Sequence, residues 1–111
     1  LFDLESVKKA NVYSLSGGQK KRLSIALATL HNPNIIFLDE PTANLDPRGR
    51  MKVRKIIQHL ATRGHSVVFT SHDMNEVVKI AHRVLIFVNG KIIEKYRVRS
   101  LEDVYLLLTE K

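Results

Sequence analysis

Three short stretches hold residue types that can do chemistry. Asp39 and Glu40 directly follow the apolar run Ile35-Ile36-Phe37-Leu38 and precede Pro41. Adjacent side chains on an extended segment point to opposite sides, so the two acids cannot share one task. One carboxylate suits Mg²⁺, which takes oxygen ligands and keeps much of its water. The other suits orienting or deprotonating an attacking water. The plain alternative is an acid pair that ends a strand and enters a turn. His72 follows a second apolar run, Ser66 to Thr70. Its imidazole could meet a phosphate oxygen or the attacking water from the side, or could be a surface histidine beside a capping Asp73. Leu15-Ser16-Gly17-Gly18-Gln19 is different in kind. Ser16 and Gln19 have the spacing of a capping box, which predicts a helix start. Two glycines there leave backbone N–H groups uncovered, the helix dipole adds positive potential, and the serine hydroxyl adds a donor. That set suits a terminal phosphate; the alternative is a glycine-rich turn with an ordinary cap. His31, His59, His65 and His82 have no such support, and no pair has metal-ligand spacing, so no zinc site is expected.

Elements must hold these residues, and period and punctuation predict them. Residues 1–14 are weakly patterned: Leu1, Leu4, Val7 and Lys8 suggest a helix tail, followed by a loop. From Ser16 a helix is predicted to about Leu30, with Leu23, Ala26, Leu27 and Leu30 as its apolar stripe, ended by Asn32-Pro33. Ile35 to Leu38 is too short for a helix and reads as a buried strand, parallel to its neighbour. Asp46 caps the next helix and Pro47 opens it; Val53, Ile56, Ile57, Leu60 and Ala61 form its buried face, and Gly64 stops it. Ser66 to Thr70 is a second strand. Met74, Val77, Val78 and Ala81 mark a short helix, and Val84 to Val88 a third strand. Asn89-Gly90 predicts a type I′ hairpin into a fourth strand, Lys91 to Tyr96. Ser100 then caps a last helix with Leu101, Val104, Tyr105 and Leu108 on one face. This order predicts an α/β fold with a mostly parallel sheet.

Composition narrows the classes. The chain has 111 residues, 44% hydrophobic and 26% charged, with net charge +7 and no cysteine. Disulfides, thiolate metal sites and cysteine nucleophiles are excluded. No apolar run approaches the roughly 18 residues of a membrane-spanning helix. Basic residues cluster at Lys20 to Arg22, Arg48 to Lys55 and Lys95 to Arg99. No aromatic side chains are interleaved with them as a single-strand binder needs, so solvated helix faces are expected rather than nucleic-acid binding. The chain begins at Leu1 rather than Met, which suggests a fragment.

The stretches in combination carry more than each alone. In order they are Leu15 to Gln19, Lys20-Lys21-Arg22, Ile35 to Glu40, Pro41 to Pro47 and Thr70 to Asp73. Over about residues 10–95 the chain resembles the ATP-binding cassette (ABC) ATPases. The resemblance implies a P-loop NTPase fold of the ABC-ATPase kind. Leu15 to Gln19 looks like the family signature motif, where Ser16, Gly17, Gly18 and Gln19 meet the γ-phosphate of ATP held by an opposite subunit. Ile35 to Asp39 looks like the Walker B strand, with Asp39 serving Mg²⁺ and Glu40 as catalytic base. Ala43 to Asp46 looks like the D-loop that crosses the dimer interface, with Asp46 toward the nucleotide, and His72 looks like the switch histidine. ATP and Mg²⁺ are the implied cofactors.

The chain departs from the family pattern in one respect. None of its five glycines (Gly17, Gly18, Gly49, Gly64, Gly90) opens a G-x-x-x-x-G-K-[ST] loop. The expectation is therefore the carboxyl-terminal part of one nucleotide-binding domain. Residues 1–31 would end a helical subdomain and residues 32–111 would form half of a catalytic core. In the family, the strand that feeds the phosphate loop lies between those like Ser66–Thr70 and Val84–Val88. Its loss predicts a sheet with two unpaired inner edges, marginal or aggregation-prone alone. The close Ser100-Leu101-Glu102-Asp103-Val104-Tyr105 resembles that of exporter-type ATPases of the drug, sodium or polysaccharide class. The implied partners are a second nucleotide-binding subunit and a separate transmembrane permease, with no nucleic acid. The implied location is the cytoplasmic face of the membrane. The opposing expectation is a truncated, non-catalytic polypeptide that docks onto an intact cassette subunit.

Overall fold

A computed structural model describes Phe2, residues 15–97 and residues 104–110. The helix tail and loop expected over residues 1–14 lie outside these, Phe2 apart. Helix α1 spans Gly17–Ala28. Its start is the expected capping box: Ser16 Oγ accepts from the Gln19 amide at 3.1 Å, and Gln19 Oε1 accepts from the Ser16 amide at 2.9 Å. Its buried face is not the expected one. Arg22 and Ile25 are buried, while Leu27 and Leu30 are 57% and 70% exposed. α1 meets the next helix on the Arg22–Ile25 side, and Arg22 buries its stem by sending Nε to the Phe2 carbonyl at 2.9 Å.

Strand β1 (Ile35–Leu38) leads to helix α2 (Pro47–Thr62), which opens on an Asp46 cap with Pro47 first in line. Val53, Ile56, Ile57, Leu60 and Ala61 are all buried, as the 3.6-residue period predicts. Arg63 and Gly64, the latter at φ 94°, close the helix. Strand β2 (Ser66–Thr70), helix α3 (Met74–Ile80) and the hairpin β3 (Arg83–Val88) and β4 (Lys91–Arg97) follow. Asn89 and Gly90 both have positive φ, as a type I′ turn requires. On α3 the buried residues are Glu76, Val77 and Ile80; Met74 and Val78 of the expected face are exposed. Glu76 faces inward because Arg54 of α2 meets it at 2.8 Å.

Residues 104–110 overturn one expectation. They form a strand, β5 (Val104–Glu110), not a helix; the expected cap Ser100 and Leu101 lie outside the described residues. β5 pairs in parallel with both β2 and β3, giving the order β1-β2-β5-β3-β4 with only β4 antiparallel. The two inner edges expected to be bare are thus paired. A continuous apolar run such as Val104 to Leu108 is ambiguous between buried strand and helix by period alone. Here the unmet backbone groups of two facing strands decide it. The core lies on one sheet face: Ile36, Val67, Phe69 and Val84 pack with Val53, Ile56 and Ile57 of α2 and with Val77 and Ile80 of α3.

Candidate functional site

β1 and β2 run parallel with Leu38 opposite Phe69. The next residues along each, Asp39 and Thr70, therefore meet at the same carboxyl end of the sheet. The Thr70 hydroxyl donates to Asp39 Oδ1 at 2.5 Å and accepts the Glu40 amide N–H at 2.9 Å. Glu40 has φ 45°; the other non-glycine residues at positive φ among those described are Asn32, Asn44 and Asn89. Asparagine tolerates the left-handed region, whereas glutamate there costs roughly 1–2 kcal/mol. The Glu40 carbonyl is held by Lys21 Nζ and by the Ala43 amide, each at 3.2 Å. So held, Glu40 sends Oε1 to within 3.0 Å of His72 Nε2.

His72 sits on a turn tied by the Asp73 amide to Ser71 Oγ at 3.0 Å, and Asp73 in turn caps α3 through the Asn75 amide at 2.9 Å. Glu40, His72, Asn44 and Arg50 line a cavity of about 300 Å³. Arg50 lies 3.8 Å from buried Glu76, so the α2–α3 ion pairs also border this cavity.

A second cleft, about 500 Å³, opens where α1 and α2 begin. Ser16, Gly17, Gly18, Gln19 and Asp46 all line it, with Arg48 and Lys52 at its side. The Gly17 and Gly18 amides are the first of α1 and have no intrahelical acceptor. Gln19 commits its side-chain oxygen to the cap. Asp46 accepts from the Gly49 amide at 2.7 Å, and a Cβ on Gly49 would lie 3.0 Å from that carboxylate, a close fit that a larger residue would have to ease.

The residues singled out from sequence thus fall into two groups. Glu40 and His72 meet at the strand ends while Asp39 is hydrogen-bonded to Thr70 at the same end of the sheet, and Ser16 to Gln19 meet Asp46 in the helix-tip cleft. Asn44 lines both cavities, and Lys21 joins α1 to the Glu40 backbone. Thr70, Lys21 and Arg50 were not singled out. Thr70 had a legible signal, as a hydroxyl residue ending the strand beside Asp39, but the register that brings them together is not written in either strand.

The donor set fits one hard cation. Asp39 is exposed and commits one oxygen to Thr70. No group of three or more acids or histidines gathers among the described residues. A single exposed carboxylate of this kind suits Mg²⁺, which is held by one or two carboxylates, water and substrate phosphates rather than a protein cage.

Comparison with known proteins converges on one family. The family model for ABC transporters matches residues 1–43. "ABC transporter G family member 20" of Dictyostelium discoideum is 37% identical over 120 aligned residues, covering 100% of this chain and 16% of that protein. "Energy-coupling factor transporter ATP-binding protein EcfA2" of Mesomycoplasma hyopneumoniae is 39% identical, covering 80% of this chain and 30% of that one. "Nod factor export ATP-binding protein I" of Burkholderia thailandensis is 38% identical, with 88% and 32% covered. Among solved structures, the ATP-binding cassette MJ1267 of an ABC transporter superposes with TM-score 0.78 at 28% identity, over 86% of this chain and 38% of that one. The dimeric post-hydrolysis cassette MJ0796, bound to ADP and Pi, gives 0.67 at 31%, over 80% and 38%. The chain is similar in sequence and in α/β fold to the ATP-binding domain of ABC transporters, over the part of that domain it spans. It spans between 16% and 38% of the length of these relatives.

Proposed function

We propose that these residues are the carboxyl-terminal part of an ABC transporter's ATP-hydrolysing domain, residues 1–31 ending its helical subdomain and residues 32–111 forming half of its catalytic core. The observation that carries this is the pairing of Glu40 and His72 at 3.0 Å at the carboxyl ends of β1 and β2, where Asp39 is hydrogen-bonded to Thr70. In this reading Glu40 takes the proton from the water that attacks the γ-phosphorus, and His72 orients that carboxylate through its Nε2 hydrogen. Asp39 holds Mg²⁺, which when bound neutralises charge on the phosphate oxygens. Ser16, Gly17, Gly18 and Gln19 close on the nucleotide of a second subunit, and Asp46 shapes the same cleft. The dimeric MJ0796 cassette with ADP and Pi supports that two-subunit arrangement.

A separate permease would tie the subunit to the cytoplasmic face of the membrane; no helix among the described residues is long and apolar enough to cross one. The sequence of the close, Ser100 to Tyr105, is what supports the exporter class.

In the complete domain, Glu40→Gln should lower ATP turnover by about 100-fold or more while ATP binding persists, because only water activation is lost. Light scattering should show a trapped ATP-bound dimer, and a variant that stays monomeric with ATP sinks the role given to Glu40. A second reading rests on the helix-tip cleft of Ser16 to Gln19, which could complete a site on another subunit without a catalytic role of its own: a non-catalytic polypeptide that docks onto an intact cassette subunit. The two separate on the 111-residue chain alone. Both expect no Mg-ATPase above buffer, but the second alone expects stable co-purification with an intact cassette subunit.

A further inference from the structure

One hydroxyl serves both acids. Thr70 accepts the Glu40 amide N–H at 2.9 Å and donates to Asp39 Oδ1 at 2.5 Å. A threonine hydroxyl has a single proton, so with that proton given to Asp39, the Glu40 amide can only be the donor. Glu40 meanwhile holds a left-handed backbone that asparagine occupies elsewhere among the described residues. Such a conformation persists only where the surroundings over-determine it. At the Glu40 carbonyl the surroundings are Lys21 and Ala43; at its amide they are Thr70.

Resting on the roles proposed above for Asp39 and Glu40, we propose that Thr70 is a positioning residue of the hydrolytic site. Its hydroxyl turns one Asp39 oxygen back toward β2 and leaves the other for a cation. The same hydroxyl pins the Asp39–Glu40 peptide so that the Glu40 carboxylate lies against His72. Thr70 acts through its two neighbours, and its place at the end of β2 is what makes one group enough for both. A mere stitch between β1 and β2 would make a different forecast. Its loss would lower stability and leave the turnover of the folded enzyme unchanged.

The test pairs Thr70→Val, which keeps the branched shape and removes the hydroxyl, with Thr70→Ser, which keeps the hydroxyl. In the complete domain, Thr70→Val should lower kcat about tenfold or more with KM for ATP within about twofold, and Thr70→Ser should stay within about threefold of the parent. In the 111-residue chain, amide hydrogen exchange at Glu40 should speed up by about tenfold in Thr70→Val but not in Thr70→Ser, with Val67 and Phe69 unchanged. A parent-like kcat in Thr70→Val overturns the proposal, as does a serine variant as slow as the valine one or unaltered Glu40 exchange. Glu40→Gln, run alongside, separates the two layers: parent-like turnover there removes the role of Glu40, whereas the exchange result reports the pinning by Thr70 directly.

Discussion

Glu40 occupies backbone space that suits it poorly, at φ 45°. Replacing it by asparagine should relieve roughly 1 kcal/mol of strain. The shorter side chain no longer reaches His72, but that imidazole is 62% exposed and its pairing adds little to stability. Thermal denaturation of Glu40→Asn is therefore expected at or above the parent midpoint, and a clear fall would show that the left-handed backbone is not strained. Asp46 behaves oppositely. It caps α2 through the Gly49 amide, and Asp46→Ala should cost about 1 kcal/mol in urea denaturation. Of the residues of this candidate site, Ser16, Gly17, Gly18, Asp39, Glu40 and His72 could be picked out from sequence because each stands where an element begins or ends. Thr70 and Lys21 were not, because their roles depend on which backbone atom of Glu40 comes near them, and only the folded chain decides that.

At the scale of elements, α2 was the most legible. Its cap, its proline and five buried residues agree, so local and tertiary preferences point the same way. α1 was half legible: a capping box is a local device, whereas the buried face depends on which neighbour the helix meets. β5 was illegible because an apolar run suits a helix as well as an inner strand. Its position makes a sharp forecast. β5 has a partner on both sides and β4 is an edge strand. Proline removes a ladder donor, which an edge strand tolerates far better than an inner one. Leu106→Pro should therefore abolish the cooperative urea transition, while Ile93→Pro in β4 should only shift it. Equal shifts from the two would show that residues 104–110 do not lie inside the sheet.

Across the whole molecule the sheet is covered unevenly. α2 and α3 pack on one face, while Ile35 and Phe37 on β1 remain 54% and 72% exposed among the described residues. Phe37→Thr should leave the melting midpoint nearly unchanged and reduce concentration-dependent association in sedimentation velocity, since the ring gains little burial in the monomer. The charge is uneven too. The chain carries +7, and Arg48 and Lys52 flank the cleft into which both α1 and α2 open their amino ends. A polyanion drifting nearby is funnelled toward that mouth before any contact is made. Its arrival rate should drop steeply as counter-ions are added to the buffer, while its departure rate stays almost level.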